Sequence, residues 1–404
     1  MDNTILGGIR VLDLANENGV FCTRQLAELG AEVIKIEPLE GDSTRKIGPF
    51  AEGEPQVEKS LFHAFYNGGK KSITLNLEKP EGKKLFLELV KQADVLVETS
   101  KPGTMESKGL GYDDLKKMNP KFIMCSITPF GQEGPYSKWN ASSDLIPYGM
   151  TGPMFETGVP GKEPLQLGLN FTANLTGVLA TSGIIALITA SAESGEGGYL
   201  DMSLFKAAGS WRCEYPGIYQ YYNKITSRIG SQGMFVPMNY YPCKDGFVQL
   251  LGSSKWDQMI AWMKELNIDV GHFDEPKYGG PSYFNDALVA ERSAVDALVT
   301  KLTLKYNKED FMVEAQKRGI PAGASETPKS IMESPHYQAR DMFVEVEHEP
   351  LGTYKTVGTP FKFSKADVNV GKRPPFLGEN NEEIYKQLGL TTQDLAAYHA
   401  QHVL

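Results

Sequence analysis

The chain has 404 residues, with 41 Lys and Arg against 50 Asp and Glu, a formal net charge of −9 at pH 7. That balance argues against bulk binding to nucleic acid, where a basic excess must neutralise phosphates. It leaves room for an anionic small ligand held by a few placed cations. A composition of 41% hydrophobic and 23% charged residues is that of a globular protein, long enough for two or three domains.

Strand and helix signals alternate through the first half. Ile9–Ala15 (IRVLDLA) reads as a buried strand, FCTRQLAELG as a helix ending on Gly30, and Ala31–Glu37 (AEVIKIE) as a second strand. Lys71–Leu77 (KSITLNL) is a third, followed by a helix with Pro80 at a first-turn position. Asp94–Thr99 and Phe122–Ile127 are further strands around the helical YDDLKKMN. This alternation predicts an α/β fold with a parallel sheet covered by helices on both faces. Ligands of such sheets gather beyond the carboxyl ends of the strands.

The stretch LGLNFTANLTGVLATSGIIAL (Leu167–Leu187) predicts a helix from about Thr172 to Ala192, and its start is neutral and small. No acid stands between Glu163 and Glu193. GYLDMSLFKAAGS adds a strand and a helix. From Tyr222 glycines and aromatics dominate, with helices around Trp256–Leu266 and Ala287–Lys301, so 222–325 reads as a smaller α+β domain after a large domain over 1–221. The tail GTYKTVGTPFKFSK is strand-like, and NEEIYKQLGLTTQDLAAYHAQ is helical.

Cys22, Cys125, Cys213 and Cys243 form no CxxC pair and read as reduced core residues. The start lacks a basic leader, and no apolar run suggests a transmembrane helix, so a soluble, cytoplasmic protein without a membrane partner is expected. LANENGV offers no GxGxxG after the first strand, and neither HExxH nor GxSxG occurs. No metal site is expected. SLFK (Ser203–Lys206) matches SxxK without its companion motifs. Lys70–Lys71 and Lys83–Lys84 read as solvated edges.

Several blocks together resemble the class III CoA-transferases, the family of formyl-CoA transferase and carnitine CoA-transferase. They are GIRVLDLA, LAELGAEVIKIEPLEGDSTRK, NGGKKSITLNLEKPEGKKLFLELVKQADVLVE, KPGTMESKGLGYDDLKKMNPKFIMCSITPFGQEGPY, SGEGGYLDMSLFKAA and, near the end, RGIPAGASETPKSIMESPHYQARDMF with PPFLGENNEEIYKQLGL. The resemblance implies a Rossmann-like large domain completed by 326–404, and two subunits interlocked as rings. It also implies transfer of coenzyme A between carboxylic acids, with a CoA thioester as substrate and no tightly bound cofactor. In that chemistry an aspartate at the start of the central helix attacks the thioester to form a mixed anhydride.

The family pattern GDxxTG, set against Thr176 and Gly177, places Ala173 at the nucleophile, and alanine cannot attack a thioester. Pro38 stands where many members carry arginine, Thr99–Ser100 replace an NF pair, and Tyr148 replaces a glutamine. Leu75, Asn76, Gly131, Pro135 and Gly195 keep the pattern. The resemblance implies CoA contacts at Asn16, Glu17, Asn18, Leu75, Asn76, Thr99, Ser100 and Leu204, and a covering loop at Arg228–Phe235. Three functions stay open. The chain is a non-catalytic partner beside a homologous subunit in a heteromer resembling succinyl-CoA:benzylsuccinate CoA-transferase; or a self-sufficient transferase or isomerase using Glu17 or Asp144 (otherwise a helix N-cap); or a CoA-ester-binding regulator.

Overall fold

The computed structural model describes residues 3–404 apart from Glu54, Ser142, Leu169, Arg212, Cys213 and Met234. Cys213, and Met234 of the glycine-rich loop, thus lie outside the described residues. The chain forms two compact units, one from Met1–Met154, Gln166–Ile225 and His336–Leu404, the other from Phe155–Leu165 and Thr226–Pro335. The divisions fall at 225/226 and 335/336, where the sequence had suggested 221/222 and 325/326. Residues 155–165, expected with the large domain, group with the second unit.

In the first unit six strands make one sheet: β1 (Arg10–Leu14), β2 (Glu32–Glu37), β3 (Lys71–Thr74), β4 (Val95–Glu98), β5 (Ile123–Thr128) and β6 (Tyr199–Ser203). Their order is β3-β2-β1-β4-β5-β6, and every adjacent pair is parallel. The connecting helices are α1 (Val20–Glu28), α2 (Leu61–Asn67), α3 (Pro80–Val90), α4 (Thr104–Ser107), α5 (Tyr112–Met118), α6 (Leu145–Gly149) and α8 (Phe171–Ser194), while α7 (Pro153–Glu156) falls at the division after Met154. α9 (Leu204–Ser210) and α10 (Glu214–Tyr222) follow β6.

Successive strand side chains point to opposite faces, and both faces are apolar. Leu12, Ile34, Ile73 and Leu96 pack with Phe86 and Leu89 of α3 on one side. Val11, Val33, Val95 and Cys125 pack with Leu26 of α1 and Ala180 and Ile184 of α8 on the other. Strand order reverses between β1 and β4, so the connections leaving their carboxyl ends diverge and open a crevice there.

α8 corrects one expectation. Its 24 residues, with a mean hydropathy of 1.8 over the most apolar window, are long and apolar enough to cross a membrane. The sequence hid this behind interspersed Thr, Ser and Gly, which carry no charge. Those small residues serve close packing on α1: Thr172, Ala173, Thr176, Gly177, Ala180, Thr181 and Ile184 form the buried face. A Cβ at Gly177 would lie 3.0 Å from the backbone nitrogen of Cys22. Val178 and Leu179 are exposed.

The C-terminal segment returns to the large unit through Ile384, Tyr385 and Leu395, which join the cluster around α3. The Asn76 N–H donates to the carbonyl of Val403 (2.8 Å). The second unit holds an antiparallel sheet of β7 (Met238–Cys243), β8 (Gly246–Leu251) and β9 (Ala322–Ala324), packed around Trp256, Met259 and Trp262. The helix expected over 287–301 is two, Asp286–Ala290 and Arg292–Thr303, broken at Glu291, where φ leaves the helical range at −113°.

Gly82 in α3 is fixed by the turn that carries Asn76. A Cβ there would meet the Asn76 carbonyl oxygen at 2.0 Å, a backbone atom with no rotamer to yield. Gly82→Ala gains about 1 kcal/mol of helix propensity, yet the overpacking costs roughly 1–3 kcal/mol or more. A lower denaturation midpoint is expected; an unchanged or higher one would show that the turn yields freely.

Candidate functional site

Beyond the carboxyl ends of β1 and β4 lies a cavity of about 440 Å³, lined by Asn16, Asn18, Thr99, Ser100, Lys101 and Trp139 among others. A second, of about 400 Å³, lies beyond β2 and β3 and is lined by Pro38, Leu75, Asn76, Glu78 and Lys108. The structure therefore divides the residues singled out from the sequence. Asn16, Asn18, Thr99 and Ser100 share one cavity, and Leu75 and Asn76 share its neighbour. Glu17 lines neither; its carboxylate accepts from the Ser43 hydroxyl (2.6 Å). Leu204, 1% exposed, packs in the same apolar cluster as Ala173. A larger hollow of about 650 Å³, between Thr74 and the C-terminal helices, contains none of these residues.

The crevice loop is held by local contacts. The Asn16 N–H donates to Thr99 Oγ1 (2.9 Å), tying the end of β1 to the end of β4. Asn16 Oδ1 accepts from the Asn18 N–H (3.0 Å), and its carbonyl accepts from Gly19 and Val20 as α1 begins. A Cβ at Gly19 would sit 2.8 Å from Thr99 Cγ2, so only glycine permits this approach. At the base, Glu98 is 2% exposed; burial pushes its carboxyl above the usual range, against bonds from Ser126 and Ser100 that favour the charged form.

Lys101, Lys138 and Trp139 escaped the sequence reading, although a basic and aromatic SKWN beside a strand end is a usable signal. Lys101 Nζ donates to Asn140 Oδ1 (2.9 Å), and the exposed Trp139 indole packs on Tyr136 with ring centroids 4.1 Å apart. Lys70 is a correction. Read as a solvated edge, its side chain is fully buried, because Asp13, Thr23 and Asn67 supply three acceptors to its ammonium group.

Ala173 sits in the first turn of α8, 3% exposed among apolar neighbours, and that turn contains no acid. Asn170 at the N-cap adopts φ 53° and makes no side-chain cap bond. The acceptor comes from outside: Asp144, N-cap residue of α6, receives the Thr172 N–H (3.2 Å) while 7% exposed. Asp144 therefore caps α8 rather than its own helix. Asn174 Oδ1 accepts from the Tyr66 hydroxyl (2.9 Å). Among the described residues no group of His, Cys, Asp and Glu could hold a metal.

The profile of CoA-transferase family III matches residues 6–381. This chain belongs to that family. It is 34% identical over 390 residues to succinate–glutarate CoA-transferase of Agrobacterium fabrum, covering 95% of each chain. It is 27% identical to succinyl-CoA:(R)-benzylsuccinate CoA-transferase subunit BbsE of Thauera aromatica, covering 97% of this chain and 98% of the other. A crystal structure of a CAIB/BAIF family protein from Brucella suis superposes with a TM-score of 0.83 at 32% identity, over 96% of this chain and all of that one.

Asp144→Ala leaves the buried Thr172 N–H without an acceptor, a loss of about 1–3 kcal/mol. Asp144→Asn keeps a carbonyl in place and should retain most of that stability. Equal denaturation midpoints for the two variants would rule out the capping role.

Proposed function

We propose that this chain is a non-catalytic subunit of a heteromeric CoA-transferase, acting in transfer of coenzyme A between carboxylic acids in the cytoplasm. The observation that carries the reading is the methyl group of Ala173 in a first turn of α8 that contains no acid. In the chemistry that the family resemblance implies, a carboxylate oxygen attacks the thioester carbon as the bond to sulfur breaks and CoA leaves as a thiolate. A homologous subunit supplies that carboxylate. The relative from Thauera aromatica, itself named as a subunit, supports a divided enzyme. So does the apolar surface of this chain's large unit: besides Val178 and Leu179 of α8, Tyr221, Tyr222 and Ile225 are exposed at 85%, 77% and 73%. An interlocked dimer with the homologous subunit accounts for it. Cys22, Cys125 and Cys243, free and buried, suit a reducing compartment.

The CoA thioester is substrate rather than a resident cofactor. Its acyl end lies against Asn16, Glu17 and Asn18, and its nucleotide end reaches Leu75, Asn76, Thr99 and Ser100, with Leu204 behind. Lys101 and Lys138 face its phosphates. Arg24, Lys35, Arg45 and Lys70 are buried in ion pairs or hydrogen bonds of their own, which leaves the exposed ammonium groups of the crevice for this task. Two such contacts at a solvated site contribute about 1 kcal/mol each, with screening by salt.

Two measurements follow. Purified without a partner and incubated with a radiolabelled acyl-CoA, the chain should transfer no CoA and retain no label that hydroxylamine releases. Label recovered on Glu17 or Asp144 would instead establish the autonomous enzyme with a displaced carboxylate. Specific CoA-ester binding without activity, alone or beside any homologous subunit, would leave the regulator. Replacing both Lys101 and Lys138 by Ala should weaken CoA binding on the order of tenfold at low ionic strength, with a smaller effect in high salt. An unchanged Kd removes them from the phosphate site.

A further inference from the structure

At Leu14 the ladder of β1 ends, but the chain is still inside the protein: Ala15 is 1% exposed. Its peptide groups need partners that neither water nor a neighbouring strand provides. Charged side chains supply both. The Ala15 N–H donates to Asp13 Oδ1 (2.8 Å), and the Ala15 carbonyl accepts from Lys35 Nζ (3.0 Å). The second oxygen of Asp13 accepts from Lys70 Nζ (2.9 Å), which also donates to Thr23 Oγ1 (2.7 Å) on α1 and Asn67 Oδ1 (2.9 Å) on α2. Lys35 pairs in turn with Asp42 (2.5 Å), whose neighbour Ser43 donates to Glu17. Beneath Asn16–Asn18 there is thus a buried cluster of two acids and two lysines, which clamps the residue from which the crevice loop departs.

We propose that Lys70 is a positioning residue: through Asp13 it fixes the Ala15–Asn18 loop in the shape that receives the CoA ester, and its proton makes that fit depend on pH. The inference rests on the reading of the crevice as a CoA site, but the position of the loop can be measured without a ligand. The Lys70 ammonium has all three N–H donors engaged and its side chain has no solvent contact, and losing its proton changes the net charge of the four-residue cluster from zero to −1. Burial lowers its pKa to about 8, with Asp13 opposing and Lys35 reinforcing the shift.

The other charged or titratable groups around it keep their states in that range. Burial opposes ionisation of Asp13 and Asp42, but Lys35, with Lys70 for the first, holds both carboxyls below their usual range. Burial alone would lower the pKa of Lys35, yet Asp13 and Asp42 raise it. Arg45 stays charged in its pair with Glu37 (2.7 Å). On α1 burial pushes the Cys22 thiol up to about 12, and on α2 burial and the nearby cations hold His63 well below its usual range.

The effect on stability has the opposite sign to the effect on binding. Lys70 releases its proton more readily folded than unfolded. Between about pH 8 and the ordinary lysine range the unfolded chain therefore binds more protons, and this group's contribution to stability rises with pH. Within the folded chain burial lowers the pKa of Lys70 while the contact with Asp13 raises it. Proton release therefore weakens that contact without exposing the side chain, and a loss of affinity in that window is not unfolding.

The test uses the full chain from pH 6.5 to 9.5. Hydrogen exchange of the Ala15–Phe21 amides is followed after correction for intrinsic rate, together with the Kd for CoA by calorimetry and the thermal midpoint. Expected is a fall in protection and a several-fold rise in Kd centred near pH 8. Lys70→Met, checked by circular dichroism, should show weak protection and about tenfold weaker binding at every pH, without the step. Protection that stays flat through pH 8 in the native chain overturns the proposal, whether or not any variant folds; so does a step that persists in Lys70→Met. A step in protection with no CoA binding at any pH upholds the role of Lys70 in the loop but overturns its role in ligand fit, together with the CoA reading of the crevice.

Discussion

A parallel sheet that binds at its carboxyl edge must stop its hydrogen-bond ladder while the chain is still buried. In this protein that obligation falls on Ala15, and two charged side chains meet it. A carboxylate accepting an amide and an ammonium donating to a carbonyl make stronger bonds than neutral pairs do. They also demand compensation, since each buried ion costs several kcal/mol of desolvation unless it is paired. Asp13, Lys35, Lys70 and Asp42 compensate one another, so none is independent of the rest. The shape of the crevice loop, and the reach of Asn16 to Thr99, follow from how that small set of charges balances.

α8 solves a related problem at its own terminus. Close approach to α1 requires small residues, and Gly177 and Ala180 provide it, but a helix start built of small and apolar residues cannot cap itself. Asn170, in a left-handed conformation, offers no side-chain bond, so the cap is borrowed from Asp144, 28 positions earlier in the chain. Borrowing has a structural effect. It ties the segment after β5 to the start of α8, bringing the aromatic rings of Tyr148 and Phe171 together with centroids 6.3 Å apart. The Asp144 carboxylate, bonded one residue from Ala173, is thereby committed to a backbone amide.

The sheet was legible because its strands are buried on both faces and read as apolar runs separated by amphipathic helices. Strand ends were overestimated: the apolar character of KSITLNL continues through Leu75, but pairing stops at Thr74, where the chain turns against α3. Lys70 could not be read correctly, since a lysine pair looks the same whether its acceptors are water or three side chains separated from it by 3, 47 and 57 positions. Asp144 was recognisable as a cap but not as the cap of a distant helix. The return of the last helices to α3, and the grouping of 155–165 with the second unit, depend on contacts across long stretches of chain that no local pattern records. The division of the candidate residues between two cavities is equally invisible, because residues at adjacent strand ends look equivalent in one dimension.

On the proposed reading, binding and chemistry separate at a single side chain. The crevice depends on the end of β1, the end of β4 and the exposed lysines beside Trp139, none of which needs a nucleophile. Covalent catalysis depends on one oxygen at the start of α8, where Ala173 supplies a methyl that belongs to the same buried apolar cluster as Ala15, Cys22, Ile127 and Leu204. None of the contacts that hold the fold here, the charge cluster under the loop and the small residues along α8, draws on that oxygen. The scaffold can therefore persist under selection for assembly and ligand contact alone, and the apolar outer face of α8 gives assembly its own energetic reason.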